Sequence, residues 1–329
     1  MDNIKVIVTG GSGFIGTNMI ELLIKMGFQI ANIDIKKPRN KDQTKYWSDI
    51  DICNKEQLSK FISWYNPHYV IHLAARTDLN EPTSIENYSA NIVGVENILE
   101  SVKNLKNFRR IIVASSMLVC KLGYNPSSDI DYAPNSRYGE SKVFTEKITR
   151  KYKIDWVIVR PTSIWGPWFG EPYKVFFSLV LSGFYININN KKASTKTYGY
   201  VKNSVYQLYS LLMAPSESVK EKIFYIGDIN PINISEWADS IRKLSKKSKL
   251  IEVNVLFLKI LAKIGDILSM INITFPLTGF RLKNMTTNNI INSIDKIYTV
   301  APTPPITCLE DATLETICWI QGKNYVTED

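Results

Sequence analysis

Three polar side chains have the types and spacing needed to move a proton to and from a hydroxyl group: Ser116, Tyr138 and Lys142. Tyr138 and Lys142 are four residues apart in a segment with helical character, so they lie on one helix face, one turn apart. A phenol has a pKa of about 10 and is a poor base at neutral pH, but a neighbouring cation stabilises the phenolate. Ser116 ends a predicted strand and can hydrogen-bond a substrate oxygen. The three residues are therefore predicted to be catalytic, although a tyrosine and a lysine at this spacing are usually a solvent-exposed pair and need support elsewhere.

A glycine-rich loop over Thr9–Gly16, with the sequence TGGSGFIG, follows the first predicted strand and opens the first predicted helix. Its glycines Gly10, Gly13 and Gly16 recur at intervals of three residues. Glycine lets the backbone approach a pyrophosphate closely, and the helix N-terminus supplies free N–H donors and positive potential. The loop therefore predicts a dinucleotide-binding site.

Asp34 ends the second predicted strand, 18 residues after Gly16. A carboxylate here accepts hydrogen bonds from a ribose 2′,3′-diol and repels a 2′-phosphate, so NAD is favoured over NADP. NADP is not excluded, because the basic residues Lys36, Lys37 and Arg39 follow closely.

Asp51 and Ile52 lie in a later loop, where they can meet the adenine of a dinucleotide. An Asp51 that caps the following helix is an equally good interpretation.

The 329-residue length predicts about two domains. A composition of 45% hydrophobic and 22% charged residues excludes a disordered or collagenous chain. Forty basic and 31 acidic residues leave a net charge of +9, which suits nucleic acid, an acidic membrane or an anionic small substrate. The charges are scattered, and the basic cluster at 242–249 has no interleaved aromatic residues. A solvated surface explains it, and no nucleic-acid partner is predicted.

The cysteines and histidines predict neither a disulfide framework nor a metal site. The residues between His68 and His72 have strand character, which separates the two side chains, and no third ligand is offered, so we predict no bound metal. No two cysteines have the C-x-x-C spacing, which favours a reducing compartment and a cytoplasmic location. The four cysteines are Cys53, Cys120, Cys308 and Cys318.

The N-terminus has no secretory signal pattern, and residues 255–275 are the most apolar stretch. Lys259, Lys263 and Asp266 interrupt that stretch, so it is too polar to span a bilayer. Its apolar residues fall at helical spacing and give one apolar face. We predict a helix packed on its own protein and no membrane partner; a membrane-surface anchor is the alternative.

The first 165 residues alternate strand-like and helical segments, a pattern that builds a parallel sheet covered on both faces. Ligands of such sheets bind at the carboxyl ends of the strands. The first domain is predicted over 1–167, with 198–228 returning to it as one more helix and strand, and 168–329 mainly forms a second domain. The predicted strands are Ile4–Thr9, Gln29–Asp34, Tyr69–Ala74, Arg110–Ser115, Trp156–Arg160 and Lys222–Ile226, and the predicted helices are Phe14–Met26, 83–103, 136–152, Asn203–Met213 and 308–321.

Taken together, these motifs resemble the extended short-chain dehydrogenase/reductases, specifically their nucleotide-sugar epimerase, dehydratase and reductase group. The resemblance is tight to about residue 167 and loose thereafter. It implies an α/β fold with a Rossmann-type doubly wound parallel sheet and a smaller, mixed C-terminal substrate-binding domain. The motifs that carry it are Thr9–Gly16, Asp34, His72–Ala75, Tyr88 with Asn91, Gly94 and Asn97, Ser115-Ser116, Tyr138 with Lys142, and Arg160-Pro161.

The resemblance also implies the roles of individual residues. For the cofactor, the resemblance assigns the pyrophosphate to Gly10, Gly13, Phe14, Ile15 and Gly16, and the adenosine ribose to Asp34. The cofactor site is lined by Leu73, Ala74, Ala75 and Pro161, and the nicotinamide ribose is also bound by Lys142. For the substrate, Thr77 and Thr162 contact the sugar, with Ser116 and Tyr138, and Arg281 the diphosphate. Asn91 organises the cofactor side, or is a buried amide satisfied by backbone.

Departures from the family pattern narrow the reaction. A sugar dehydratase of this group carries Asp-Glu after the catalytic hydroxyl, whereas this chain has Met117 and Leu118, which cannot act as acid or base. Dehydration is therefore disfavoured. Cys120 replaces an aromatic residue, and either reshapes the sugar pocket or is a small buried hydrophobe. The aromatic residues after Arg160-Pro161 either stack on the ligand or form a core.

The resulting expectation is an NAD-dependent epimerase acting on a nucleotide-diphosphate sugar, most simply at C4. The main alternative is an NAD(P)H-dependent reductase of a nucleotide 4-keto sugar, and a hydroxysteroid-type dehydrogenase is a more distant one. A dinucleotide sensor without catalysis is disfavoured because Ser116, Tyr138 and Lys142 are all retained. The resemblance also implies a homodimer formed by the helices at 83–103 and 136–152.

Overall fold

A computed structural model describes residues 3–78, 84–188, 193–245, 251–253, 255–270, 279–301 and 306–323. Its strands are β1 Lys5–Thr9, β2 Gln29–Ile33, β3 Trp47–Ser48, β4 Tyr69–His72, β5 Arg110–Ala114, β6 Trp156–Pro161, β7 Ser163–Trp165, β8 Ile186–Ile188, β9 Thr195–Lys196, β10 Tyr198–Tyr200, β11 Lys222–Ile226, β12 Ile232–Asn233 and β13 Ile251–Val253. Its helices are α1 Phe14–Lys25, α2 Lys55–Tyr65, α3 Val95–Val102, α4 Arg137–Thr149, α5 Tyr173–Ser182, α6 Val201–Met213, α7 Ser216–Val219, α8 Ile234–Leu244, α9 Val255–Met270, α10 Gly279–Thr286, α11 Lys296–Val300 and α12 Leu309–Ile320.

Seven parallel strands form the central sheet in the order β11-β6-β5-β4-β1-β2-β3. Their interiors are runs of valine and isoleucine because both faces of the sheet are covered. Ile7, Val70, Ile111 and Ile158, one from each of four neighbouring strands, are fully buried in a single cluster. This sheet confirms the predicted Rossmann-type fold.

The helix predicted at 83–103 is interrupted. A π-helical turn at Ala90–Gly94 precedes the regular α3, and residues 79–83 lie outside the described part. Gly94, the last residue of this turn, packs closely against Ile52. A Cβ on Gly94 would collide with the side chain of Ile52. Apolar periodicity alone cannot report such a register change.

The chain divides into two compact units, each made of separated segments. The first combines 1–164, 199–228 and 292–307, and the second combines 165–198, 229–291 and 308–329. Segment 292–307 therefore belongs to the first unit and not to the second, where the sequence pattern placed it. Hydrogen bonds explain the difference: Asn203 of α6 donates to the Thr307 carbonyl at 3.0 Å and accepts from its N–H at 2.9 Å.

Aromatic side chains form the core of the second unit. Trp165 is fully buried, and its ring lies 4.7 Å from that of Trp237 and 5.8 Å from that of Phe177. Phe169 is also buried and contacts Phe177 and Trp319. For Trp165 and Phe169, the structure favours the core interpretation over stacking on a ligand.

Helix α9 buries only part of its apolar surface. Leu258 and Ala262 pack in a small cluster with Leu282 of α10. Ile260 and Ile267, in contrast, are 59% and 63% exposed. The prediction that the apolar face packs on its own protein is therefore wrong for this side of the helix. None of the described helices combines the length and the hydrophobicity that a transmembrane segment requires.

Candidate active site

Ser116 and Tyr138 meet where β5 ends and α4 begins. Ser116 lies two residues after β5, and its Oγ accepts a hydrogen bond from Leu118 N–H at 3.1 Å. The hydroxyl of Ser136 caps α4 by accepting from Gly139 N–H at 3.1 Å, which places Tyr138 in the first turn. The side chain of Ser116 is close enough to the phenol of Tyr138 to lower its pKa. The predicted hydroxyl pair is therefore assembled.

Lys142 lies one turn further along α4 and is buried. Its Nζ donates to the carbonyl of Ala114 at 2.8 Å and lies 6.0 Å from the centroid of the Tyr138 ring. Burial lowers the pKa of Lys142 to about 8 and raises the pKa of Tyr138 to about 12. A phenol with this pKa is protonated at neutral pH, and further positive charge near it is needed to make it a base.

A fully buried ion pair lies behind this site and joins α4 to β6. Arg160 Nε and Nη2 donate to the two carboxylate oxygens of Glu146 at 2.8 and 2.9 Å, and both side chains have no exposed surface. The same carboxylate accepts from Ser115 Oγ at 2.6 Å and from the Tyr132 phenol at 2.9 Å. The network therefore fixes the end of β5, which carries Ser116, against the helix that carries Tyr138 and Lys142.

Sequence reasoning missed Glu146 and Ser115 as parts of the site. One signal was present: Glu146 follows Lys142 by four residues, so it lies on the same helix face. A second was Arg160, a charged residue in the apolar strand β6, which requires a buried partner.

The glycine loop forms a cradle at the N-terminus of α1. Gly10 has φ of +70°, and a Cβ there would lie 2.6 Å from the backbone nitrogen of Ala74. Within the described residues, no side chain caps α1 at Gly13 and its first turn, which contains Phe14, Ile15 and Gly16, carries no acidic residue. A close backbone and an uncapped helix N-terminus are what a dinucleotide pyrophosphate requires, so these residues fit NAD.

Asp34 directly follows β2 and is bonded to the glycine loop. One carboxylate oxygen accepts from Ser12 N–H at 3.1 Å and the other from Lys36 N–H at 2.9 Å. Burial raises the pKa of Asp34, and these backbone hydrogen bonds partly counteract that effect. The carboxylate is thus held beside the pyrophosphate cradle, where a ribose diol can reach its remaining lone pairs.

Asp51 and Ile52 have structural contacts of their own. Asp51 is exposed and accepts from Cys53 N–H at 2.8 Å. The side chain that caps α2 is Asn54, which accepts from Gln57 N–H, so a capping role for Asp51 is wrong. Ile52 is buried in the sheet core, and contact of either residue with adenine remains a prediction.

Leu73, Ala74 and Ala75 follow β4 and are half-buried beside the glycine loop. Asn91 stabilises the next residue of this segment: it accepts from Arg76 N–H at 2.8 Å and donates to Arg76 O and to Ser141 Oγ. Because both amide donors and the carbonyl are used, Asn91 positions backbone, as its alternative interpretation proposed.

The predicted substrate residues Thr77, Thr162 and Arg281 differ in their exposure and in whether the structure describes their side chains. Thr77 is exposed, next to residues outside the described part. Thr162 follows Pro161, is 7% exposed, and its Oγ1 has no hydrogen-bond partner among the described residues. A buried hydroxyl of this kind suits a bound polar ligand. The side chain of Arg281 lies outside the described residues.

Each of the two histidines is hydrogen-bonded to another residue. His72 Nδ1 is hydrogen-bonded to Thr9 Oγ1 at 2.7 Å, and burial together with the charge of Lys142 lowers its pKa to about 3. His68 Nδ1 accepts from Lys5 N–H. Across the described ranges, no group of three or more metal-binding side chains occurs.

Comparisons with known proteins agree with this geometry. The family model described as "NAD dependent epimerase/dehydratase family" matches residues 6–227. It confirms the resemblance drawn from the motifs, and with it an enzyme whose cofactor is NAD.

Curated relatives and solved structures extend the likeness over most of the chain. "Protein CapI" of Staphylococcus aureus is 27% identical over 74% of this chain and 85% of its own length. An Escherichia coli O157:H7 N-acetyl-alpha-D-glucosaminyl-diphospho-ditrans,octacis-undecaprenol 4-epimerase is 29% identical over 50% of each chain. The UDP-glucose 4-epimerase of Thermotoga maritima superposes with a TM-score of 0.74 at 18% identity, covering 97% of this chain and 99% of that one, and confirms the fold.

Proposed function

The chain belongs to the NAD dependent epimerase/dehydratase family, and on that premise we propose that it is a C4 epimerase of a nucleotide-diphosphate sugar. The observation that carries the proposal is the constellation of Ser116, Tyr138 and Lys142, in which the ring of Tyr138 lies 6.0 Å from a buried ammonium and the Ser116 side chain lowers the pKa of the phenol. That constellation supports reversible proton exchange with a sugar hydroxyl.

In the proposed reaction, NAD supplies one chemistry when bound: it takes up a hydride from the sugar carbon and later returns it. Tyr138 takes the proton of the C4 hydroxyl as a phenolate and gives it back when the opposite face is reduced. Ser116 donates its one hydroxyl proton in a hydrogen bond to the sugar oxygen. Lys142 keeps its ammonium beside the phenol and lowers the pKa of the tyrosine.

Loss of water from the sugar is not part of the proposed reaction. A dehydratase needs an acid and a base next to the catalytic hydroxyl. The two residues that follow Ser116 are Met117 and Leu118, which have no ionisable group. The 4-keto form of the sugar is therefore expected to be reduced again with its C6 hydroxyl intact.

Two measurements on the purified protein test this proposal. Denaturation should release tightly held NAD, identified by mass spectrometry. A panel of UDP-, GDP- and dTDP-sugars followed by NMR should show one pair interconverting at C4 without added cofactor. A protein that instead consumes NADH or NADPH in stoichiometric amounts on a 4-keto sugar would be the reductase.

The remaining assignments are part of the same proposal. Gly10, Gly13, Phe14, Ile15, Gly16 and Asp34 bind NAD, with Asp51, Ile52, Leu73, Ala74, Ala75, Asn91 and Pro161 around it. The residues assigned to the sugar nucleotide are Thr77, Thr162 and Arg281, and the second unit is assigned to substrate binding. The four free cysteines are consistent with a cytoplasmic enzyme.

We also propose a homodimer through α4 and the segment Ala90–Val102. Phe144 of α4 is 46% exposed and Val93 is 44% exposed, which leaves apolar surface on both elements. A sedimentation profile of a monomer at working concentration would contradict this assignment.

A second substrate class is favoured by one observation. The Escherichia coli relative acts on a sugar linked through diphosphate to undecaprenol, and α9 of this chain exposes an apolar stripe. The same Ser116–Tyr138–Lys142 chemistry applies to either carrier, since C4 of the sugar is remote from the diphosphate. A lipid-linked diphosphosugar therefore belongs in the panel beside the nucleotide sugars.

A further inference from the structure

Helix α9 presents three isoleucines to solvent in one line. Ile260, Ile264 and Ile267 are spaced as i, i+4 and i+7, which places them on one face of the helix. They are 59%, 43% and 63% exposed. The opposite face carries Leu258 and Ala262, both 2% exposed and packed with Leu282 of α10. The isoleucine stripe is therefore not the side by which α9 is attached to its unit.

Two lysines border the isoleucine stripe. Lys259 and Lys263 are exposed, and each precedes a stripe isoleucine by one position, so they form a parallel row along one edge. Asp266, the acidic residue of the helix, accepts a hydrogen bond from Gly279 N–H at 2.9 Å, at the start of α10. Lys283 on α10 is also exposed. Asp266 precedes Ile267 by one position and so lies on the same edge as the two lysines, but it is half-buried, whereas the three lysines are exposed. The described charges of these two helices are therefore three positive and one negative.

Scattered single isoleucines are ordinary on a protein surface, but a continuous row bordered by cations is a different feature. A helix with a buried face, an exposed apolar line and lysines at its edge matches a segment that lies in the plane of a membrane interface. In such a segment, the apolar side chains enter the boundary between headgroups and acyl chains, and the lysines reach the anionic headgroups. The net charge of +9 favours approach to the same surface.

We propose that α9 is a membrane-surface contact that holds this enzyme on an anionic bilayer through Ile260, Ile264 and Ile267 with Lys259 and Lys263. The contact is peripheral, because no helix among the described residues can span a bilayer. It does not depend on the proposed epimerase activity.

Co-sedimentation of the full-length protein with vesicles tests the contact. The probes are vesicles of phosphatidylglycerol and phosphatidylethanolamine in equal parts, and vesicles of phosphatidylcholine alone. We expect binding to the anionic vesicles, weaker binding at high salt because the lysine contribution is screened, and little binding to phosphatidylcholine. The variant I260S/I264S/I267S should bind the anionic vesicles at least tenfold more weakly. The variant K259Q/K263Q should lose about fivefold per lysine.

A matched control removes three equally exposed isoleucines elsewhere, in the variant I24S/I130S/I229S, whose positions are 41%, 64% and 48% exposed. It should bind vesicles like the wild type. Wild-type protein that stays in the supernatant with anionic vesicles overturns the proposal, as does equal binding by the α9 variant. A change of oligomeric state in that variant, without vesicle binding by the wild type, would make the face a protein interface and also overturn it. Since no step measures turnover, these results are independent of the test of activity.

Discussion

Lys142 and Glu146 lie one turn apart on the same buried face of α4, yet they do not form an ion pair with each other. The Glu146 carboxylate is bound by Arg160 of β6, whereas Lys142 Nζ donates to the Ala114 carbonyl. Burial lowers the pKa of Lys142, and the charge of Glu146 acts in the opposite direction. Glu146 is therefore a positioning residue that also helps to keep the ammonium charged.

Glu146→Gln should shift the pH dependence of turnover. With the carboxylate neutralised, the pKa of Lys142 falls below about 8, and the lysine loses its charge at a lower pH. Because the charged ammonium stabilises the tyrosine phenolate, the basic limb of the kcat profile should move down by roughly one pH unit. The measurement is kcat against pH from 6 to 10 for both proteins.

Glu140→Gln supplies the control on the same helix. Glu140 forms an exposed pair with Arg137 at 2.7 Å, so its loss should change stability by less than about 1 kcal/mol and leave the profile in place. Glu146→Gln leaves the buried Arg160 without its counter-charge and should lower the free energy of unfolding by about 3–5 kcal/mol. Loss of stability with an unshifted pH profile would reduce Glu146 to a purely structural residue.

Lys142→Met should change how stability depends on pH. The pKa of Lys142 is about 8 in the folded protein against 10.5 for the ordinary side chain. Between these values the unfolded chain binds a proton that the folded one does not, so wild-type stability gains from this group as the pH rises. The difference of 2.5 between the two pKa values corresponds to about 3 kcal/mol. At and below pH 8, the free energy of unfolding is lower by this amount, because the folded protein buries a charged lysine.

Urea unfolding of both proteins from pH 7 to 10.5 measures this difference. Over that range, the free energy of unfolding of the methionine variant should rise by about 3 kcal/mol less than that of the wild type. The variant is expected to be inactive. Lys147→Met, at an exposed position on the same helix, should follow the wild-type curve. Parallel curves for wild type and K142M would contradict burial as the origin of the shift.

The sequence predicted the parts of the site that depend on local pattern. Strand-to-helix alternation located the glycine loop and Asp34, and the helical spacing of Tyr138 and Lys142 placed both on one face. Such features follow from periodicity and turn chemistry, which are visible over ten residues. Asn203–Met213 and Lys222–Ile226 were also predictable, because their patterns are as regular as those of the first domain.

What could not be predicted depends on contacts between distant segments. The Glu146–Arg160 pair joins a helix to a strand, and Asn203 binds Thr307, which is 104 positions away. No local pattern reports such pairings. The exposed side of α9 was missed for a related reason: periodicity shows that a helix has an apolar face but not which part of it finds a partner.

Gly10→Ala and Gly27→Ala separate two effects of glycine. Both residues have positive φ, at +70° and +78°, so alanine strains either backbone by about 1–2 kcal/mol. At Gly27 nothing lies within 4 Å of the added Cβ, whereas at Gly10 the Cβ would lie 2.6 Å from Ala74 N. Only Gly10→Ala should therefore displace the loop that holds the pyrophosphate.

Titration with NAD and urea unfolding check the pair of glycine variants. Gly27→Ala should bind NAD like the wild type while losing about 1–2 kcal/mol of stability. Gly10→Ala should lose more stability and weaken NAD binding at least tenfold. Equal affinities in the two variants would mean that the loop at Gly10 is not the pyrophosphate site.

Tyr138→Phe tests the proton transfer itself. Removing the phenolic oxygen should lower kcat by about 10²–10⁴-fold, the usual contribution of a general acid and base. NAD binding should persist, because the ring still fits and Lys142 keeps its bond to Ala114. Ser116→Ala should have a smaller effect and move the acidic limb of the profile to higher pH, because the side chain of Ser116 lowers the pKa of Tyr138. The matched control is Tyr124→Phe, which should retain activity, because the phenol of Tyr124 donates to Asp131 at 2.8 Å. Turnover that survives in Y138F would remove the tyrosine from the mechanism, and NAD binding without turnover in the wild type across the whole sugar panel would favour a dinucleotide sensor.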